Sequence, residues 1–185
     1  MGRLMALGML LMFSACTPLT FYSQAAVGQL SLLWNRQSVE SVLRDENLPS
    51  AQRQSLMLIE QARQFAIDEL NLPDNGSYTS YVDVDREHLV WNVFAAPADS
   101  IEPLQWCFPI AGCVTYRGYF SAEAATRYAD TLKRRGFDVY VGGVDAYSTL
   151  GWFRDPIPST IMQRPDHRLA GFIFHELAHQ QVYVA

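Results

Sequence analysis

The residues best suited to chemistry lie in one short motif near the C-terminus, HELAH at positions 175–179. On a helix, His175 and His179 are one turn apart on the same face, so both imidazoles can reach one Zn²⁺. Glu176 is the next residue around the helix and can reach the water that attacks a peptide bond. This spacing predicts a zinc-dependent hydrolytic site with two metal ligands and one general base.

The alternative is a helix that merely carries two exposed histidines. An apolar stripe argues against it, because such a stripe buries one side of the helix and a buried histidine pair needs partners. A metal ion would be the simplest partner for both rings. The stripe comprises Leu169, Phe172, Ile173, Leu177 and Val182.

A catalytic zinc takes three protein ligands and a water molecule, so one ligand has still to be found. His88 lies in a predicted turn and His167 lies at the predicted helix start, and neither has a spacing known for a third ligand. The residues after His179 keep the helical register and stop on apolar side chains. We therefore expect an incomplete site in a domain truncated after its metal helix.

The elements that must position this motif are two helices followed by short strands. Helical spacing of apolar residues runs over 21–43 and again over 50–70, where Ser50 is the expected N-cap. Alternation of apolar residues over 78–84 and 89–93 predicts a hairpin. A helix over 122–135 capped by Ser121, and a strand over 138–144, come next. The fold class predicted is α+β, with N-terminal helices, a small mixed sheet and the metal helix at the C-terminus.

Residues 146–153 favour extended structure, which suggests a strand edge beside the metal. Such an edge can hold a substrate backbone by strand addition, whereas the alternative is one more core strand. The expected substrate contacts are Tyr147, Ser148, Thr149, Leu150 and Gly151.

The first sixteen residues indicate where the protein resides. Arg3 precedes an apolar run over 4–12, and small residues come directly before Cys16. This looks like a bacterial lipoprotein signal peptide, in which Cys16 becomes the lipidated N-terminus. An ordinary membrane anchor is the alternative, although the run is short for a bilayer. We expect a protein tethered on the periplasmic side of the bacterial envelope, and Thr17, which is not Asp, favours the outer membrane.

The other two cysteines are candidates for a disulfide or for metal binding. Cys107 and Cys113 form an even pair, and an oxidising compartment favours a disulfide between them. Two metal-binding thiolates are the alternative, but five intervening residues do not match the usual zinc knuckle.

The net charge is −5, and only 14 Lys and Arg are scattered along the chain. The scattered Lys and Arg residues form no basic stripe, so nucleic acid is excluded as a partner.

Four motifs occur in order along the chain: CFPIAGC at 107–113, YRGYF at 116–120, AYSTLGWF at 146–153 and FHELAHQ at 174–180. Together they resemble the bacterial predicted aminopeptidase family of lipoprotein-like zinc proteins. The resemblance implies a zincin-like, gluzincin type of site that binds Zn²⁺ and hydrolyses peptides. In that site His175 and His179 are ligands, Glu176 is the base and a glutamate further along completes the set.

The domain organisation expected from this resemblance is a signal peptide over 1–16 and the N-terminal part of a zincin-like metallopeptidase domain over 17–185. Two alternatives stay open at this point. One is a non-catalytic envelope lipoprotein that acts as a binding module. The other is an inactive fragment of a peptidase that lacks the third ligand.

Overall fold

The computed structural model describes residues 2–108 and 112–182, with side chains from residue 19 onward. Across these residues the protein has five α-helices and small sheets, which confirms the α+β class. The helices are α1 (Gly2–Asn35), α2 (Val39–Leu43), α3 (Ser50–Asp68), α4 (Ala122–Lys133) and α5 (Asp166–His179). The strands are β1 (Gln37–Ser38), β2 (Ser80–Val82), β3 (Val90–Pro97), β4 (Trp106–Phe108), β5 (Gly112–Val114), β6 (Arg117–Tyr119), β7 (Phe137–Val144) and β8 (Ile157–Pro158).

The strands of the described ranges pair into three small sheets. The first has the order β1-β2-β8 and is mixed, because β2 is antiparallel to β1 and parallel to β8. The second, β6-β3-β7, is antiparallel, with β3 and β7 paired over their whole length. The third is the β4-β5 hairpin, where Cys107 lies opposite Cys113.

The core that supports α5 lies between this helix, α3 and the mixed sheet. Leu169, Ile173 and Leu177 recur every fourth residue along α5 and are fully buried. They pack against a stripe on α3 formed by Leu56, Ile59, Ala62 and Ala66. The buried stripe predicted for the metal helix is therefore confirmed at these three positions. Val182 is an exception, because it lies beyond the helix and is 66% exposed.

A second core lies between α4 and the antiparallel sheet. Ala125, Ala129 and Leu132 of α4 pack on Val93 and Tyr119 of that sheet. The Ser121 hydroxyl accepts a hydrogen bond from the Ala124 backbone N–H at 3.2 Å, so the predicted N-cap is confirmed. The N-cap and the buried apolar stripe together stabilise α4, which begins at the residue predicted from the sequence.

The predicted hairpin between residues 78–84 and 89–93 is wrong. β2 pairs with β1 and β8, whereas β3 pairs with β6 and β7. Alternating polarity identifies a strand but does not identify its partner. The parallel partner of β2 is β8, in which Ile157 lies opposite Tyr81. That pairing brings the segment just before α5 next to the first half of the chain.

The single helix predicted over 21–43 is interrupted. α1 ends at Asn35, and the Ser38 hydroxyl then accepts the Ser41 N–H at 3.1 Å to begin α2. A serine that satisfies an unpaired helix donor is a common start signal, and it takes effect here within an apolar pattern that continues past it. The predicted Ser50 cap is also displaced, because Pro49 occupies the N-cap position of α3 without a side-chain hydrogen bond.

Candidate active site

Helix α5 positions all three residues of the HELAH motif. Its buried stripe turns the opposite side outward, so that His175 is exposed while Glu176 and His179 are half-buried. Asp166 in the first turn interacts favourably with the helix dipole. The histidines thus lie beside the core, and not inside it as a buried pair.

The imidazoles of His175 and His179 converge at their Nε2 atoms, which are 2.9 Å apart. The ring centroids are 4.3 Å apart and the planes are nearly perpendicular, at 86°. A tetrahedral zinc bound at about 2.0–2.1 Å would hold two such nitrogens roughly 3.3 Å apart. A small rotation of either ring reaches that separation, so these two donors fit two positions around zinc.

The two imidazoles are not part of a complete three-ligand cluster in the described part of the chain. Among residues 2–108 and 112–182, no group of three or more His, Cys, Asp or Glu side chains could hold a metal ion. The Nδ1 atom of His88 instead lies 2.9 Å from Asp145 Oδ1, and His167 is exposed at the start of α5. The structure therefore brings together the two predicted ligands and the predicted base.

Burial raises the pKa of the Glu176 carboxyl above its ordinary value. The neighbouring His175 and His179 favour the charged form and oppose the shift, as does a hydrogen bond with Ser148. A carboxylate with a raised pKa is a stronger proton acceptor, which suits a general base near neutral pH. Glu176 thus interacts with both imidazoles and with Ser148 of the loop that follows β7.

Residues 146–153 form this loop, and the strand predicted there is wrong. The Trp152 N–H donates to the Thr149 carbonyl at 3.1 Å, which closes a turn. Leu150 and Gly151 have positive φ angles of 55° and 84°. A left-handed backbone at two successive residues is incompatible with a strand. Two of the large apolar side chains in this segment, Trp152 and Phe153, are 68% and 50% exposed.

The five residues predicted to contact substrate point in different directions within this loop. Tyr147 turns toward the first helix, where its hydroxyl donates to Gln29 and its ring packs edge-on against Phe120. Ser148 turns the other way and lies against the Glu176 carboxyl. Thr149, Leu150 and Gly151 form the turn itself. The predicted role of all five in binding substrate stays a prediction, and Ser148 contacts Glu176 of the HELAH motif.

Asp155 anchors the loop, although sequence reasoning did not single it out. It is 3% exposed, and its Oδ2 accepts the Thr149 N–H at 2.8 Å. Its Oδ1 accepts the Thr149 hydroxyl at 2.7 Å, and its carbonyl accepts the Tyr78 N–H at 2.7 Å. The only local signal was an acid directly before a Pro-Ile-Pro run, a pattern that indicates a non-helical segment and nothing more.

Tyr78 is a second residue that sequence reasoning missed, since it was placed in the hairpin. It has a φ angle of 61° and is 1% exposed. Its hydroxyl lies near Ser148 but makes no hydrogen bond of normal geometry among the described residues. Burial, together with the charges of Asp155 and Glu176, raises the pKa of the phenol. Tyr78 is therefore a neutral phenol buried close to both carboxyls.

Burial also raises the pKa of Asp155, against the opposing hydrogen bonds from Thr149 and Ser148. Between the ordinary carboxyl value near 3.9 and the raised value, the native state binds more protons than the unfolded state, so stability falls as pH rises. We expect Asp155→Asn to remove this slope. Urea unfolding from pH 3.5 upward measures it, with exposed Asp99→Asn as control. Parallel profiles for wild type and Asp155→Asn would contradict the assignment.

A cleft of about 920 Å³ opens beside His175. α5 lines it with Arg168, Gly171, Phe172 and His175. His88, Asp145 and Arg164 also line the cleft. His88 contacts Asp145, and Asp145 Oδ2 lies 3.2 Å from Arg164 Nη2. The cleft therefore begins at a predicted metal ligand and continues along charged side chains from three separate parts of the chain.

The two cysteine predictions fall elsewhere in the molecule. Cys107 and Cys113 are joined in a disulfide within the β4-β5 hairpin, so they have no thiolates to offer a metal. The Phe108 ring of this hairpin stacks on Phe21 with centroids 5.5 Å apart. The predicted lipidation at Cys16 lies outside the described side chains. No helix in the described ranges is both long and apolar enough to cross a membrane.

Comparison with known proteins identifies a family that matches most of this chain. The family model described as "Putative aminopeptidase" matches residues 20–185. No curated protein and no solved structure matches the chain. The matched range contains the whole cleft, the loop that follows β7 and helix α5. Because the family model covers most of the sequence, the chain belongs to this aminopeptidase family.

Proposed function

We propose that this protein is a zinc-dependent aminopeptidase in which His175 and His179 bind the metal and Glu176 is the general base. The observation that carries the proposal is the convergence of the two Nε2 atoms at 2.9 Å, with Glu176 between the ligands in sequence. Membership of the family supports peptides as the substrate class. A catalytic zinc uses three protein ligands, and the proposal assigns two of them.

When bound, a zinc ion supplies a Lewis acid and makes water a better nucleophile at neutral pH. The side chains of this protein supply the remaining steps. Glu176 accepts a proton from the attacking water and later donates it to the leaving amine. Ser148 orients the Glu176 carboxyl, and the buried stripe of α5 holds both imidazoles in register.

We also propose a lipid anchor at Cys16 on the periplasmic side of the bacterial envelope, with the outer membrane favoured over the inner. The support is the sequence itself, in which a basic residue, an apolar run and small residues precede Cys16. The disulfide between Cys107 and Cys113 also supports this address, because such bonds persist in oxidising compartments.

The ligand assignment is tested by His175→Ala and His179→Ala in the full-length protein. Each is expected to weaken zinc binding by more than the roughly 10–100-fold that loss of an outer-shell partner costs. Elemental analysis after dialysis, and competition with a chromophoric chelator, measure the change. His167→Ala is the matched control, since His167 is exposed on the same helix. Unchanged zinc affinity in both ligand variants would refute the assignment.

A further inference from the structure

Arg168, Gly171 and His175 line the cleft in a row along α5. They are spaced by three and then four residues, which places them on neighbouring turns of one helix face. At about 1.5 Å per residue, Arg168 lies roughly 10 Å along the axis from His175. An extended peptide advances about 3.3–3.6 Å per residue, so this distance corresponds to about three substrate residues.

Nothing in the fold requires a glycine at position 171. Its φ angle is not among the positive ones, and an added Cβ would meet no heavy atom within 4 Å. Glycine also weakens a helix interior relative to alanine. What the missing side chain does provide is an unobstructed surface between Arg168 and His175. This is the surface that a bound peptide backbone would occupy.

Most charges that line the cleft already have a partner. Arg164 lies 3.2 Å from Asp145, and its guanidinium is 5.5 Å from the centre of the Phe172 ring. His88 contacts Asp145 and lies 3.8 Å from a Glu87 oxygen. Arg168 is exposed, and within the described part of the chain no acidic group pairs with it. The cleft thus presents an available guanidinium, which binds carboxylates in a bidentate manner.

We propose that this cleft binds the part of the substrate after the scissile bond, and that Arg168 binds a substrate carboxylate about three residues beyond that bond. The inference rests on the proposed function, because His175 marks the scissile bond. An aminopeptidase substrate has only one residue before that bond, and its ammonium group would be repelled by Arg168. The carboxylate is either the C-terminus of a tetrapeptide or an acidic side chain at its fourth residue.

Three tetrapeptides test this in the full-length, zinc-loaded protein: a free acid with neutral side chains, its C-terminal amide, and an amide with glutamate at the fourth position. We expect kcat/KM for at least one carboxylate peptide to exceed that for the neutral amide by about tenfold. Arg168→Gln should lower kcat/KM for the preferred carboxylate peptide about tenfold, to the level measured for the neutral amide. The free acid and the glutamate amide distinguish the two sources of the carboxylate.

Arg127→Gln is the matched control, because Arg127 is exposed on α4 and does not line the cleft. Calorimetric binding of the same peptides to Glu176→Gln protein repeats the comparison without turnover. Equal binding of all three peptides would overturn the subsite and leave the proposed function intact. Preferential binding of a carboxylate peptide, with no hydrolysis by the wild type, would instead refute the peptidase proposal and leave Arg168 as a carboxylate-binding residue.

Gly171→Leu tests the path of the backbone between the two ends of the cleft. A leucine there should raise KM for the tetrapeptide about tenfold and have a much smaller effect on a dipeptide, which ends before this turn. The melting temperature should not fall, because leucine favours a helix more than glycine does. An unchanged KM for the tetrapeptide would overturn the proposed path.

Discussion

Glu176→Gln in the full-length protein is expected to lower kcat by about 10²–10⁴-fold while the bound zinc stays in place. Glutamine keeps the shape of the side chain but cannot accept a proton from the attacking water. Zinc should be retained because the proposal assigns the metal to His175 and His179. Stability should not fall, since burial disfavours the charged carboxylate and raises its pKa, and the amide removes that charge.

The measurements are steady-state hydrolysis of an aminoacyl peptide, zinc content and the melting temperature of one preparation. Glu60→Gln is the matched control, because Glu60 is an exposed glutamate on α3 and should change none of the three. Full peptidase activity in Glu176→Gln would rule out the assigned base. Loss of zinc together with activity would instead give Glu176 a role in holding the metal.

Leu169→Ala is expected to lower the free energy of unfolding by about 2–5 kcal/mol. Leu169 is 0% exposed and lies in the core that joins α5 to α3. Its truncation removes buried apolar surface and leaves a cavity that the packed helices cannot close fully. Because α5 carries both predicted ligands, the temperature at which zinc is released should fall together with the melting temperature.

Leu70→Ala provides the matched control for this prediction, since it makes the same chemical change at a residue that is 46% exposed. We expect it to change the free energy of unfolding by about 0.5 kcal/mol or less. Urea unfolding monitored by tryptophan fluorescence measures both variants. Equal effects of the two substitutions would show that α5 is not held by the core described above.

The helices were predicted correctly where an N-cap or an apolar stripe within the helix itself specifies it. Ser121 and the apolar stripe that follows it specify α4, and the stripe of Leu169, Ile173 and Leu177 specifies α5. The interruption after Asn35 was missed because the apolar spacing continues across it. The partners of β2 were missed because strand pairing is decided between segments distant in sequence.

The same distinction between local and long-range signals applies to the residues of the candidate site. His175, Glu176 and His179 could be named from spacing, because one helical turn sets their relation wherever the helix lies. Asp155 and Tyr78 could not be assigned to this site, since they reach it only when β8 pairs with β2. Ser148 was expected near the metal as a substrate contact, but its hydrogen bond with Glu176 was not foreseen. A strand was predicted at 146–153 because its residues favour extended structure. The segment is instead a loop that Asp155 anchors through hydrogen bonds with Thr149.

The amino-acid sequence by itself determined the two candidate ligands, the candidate base and the face of α5 that is buried. These are local properties, set by a period of 3.6 residues and by the chemistry of each side chain. The tertiary structure alone decided that a buried carboxylate and phenol lie near Glu176, and that a cleft with an available Arg168 opens beside His175. Those features depend on contacts between segments far apart in sequence, and no local pattern carries that information.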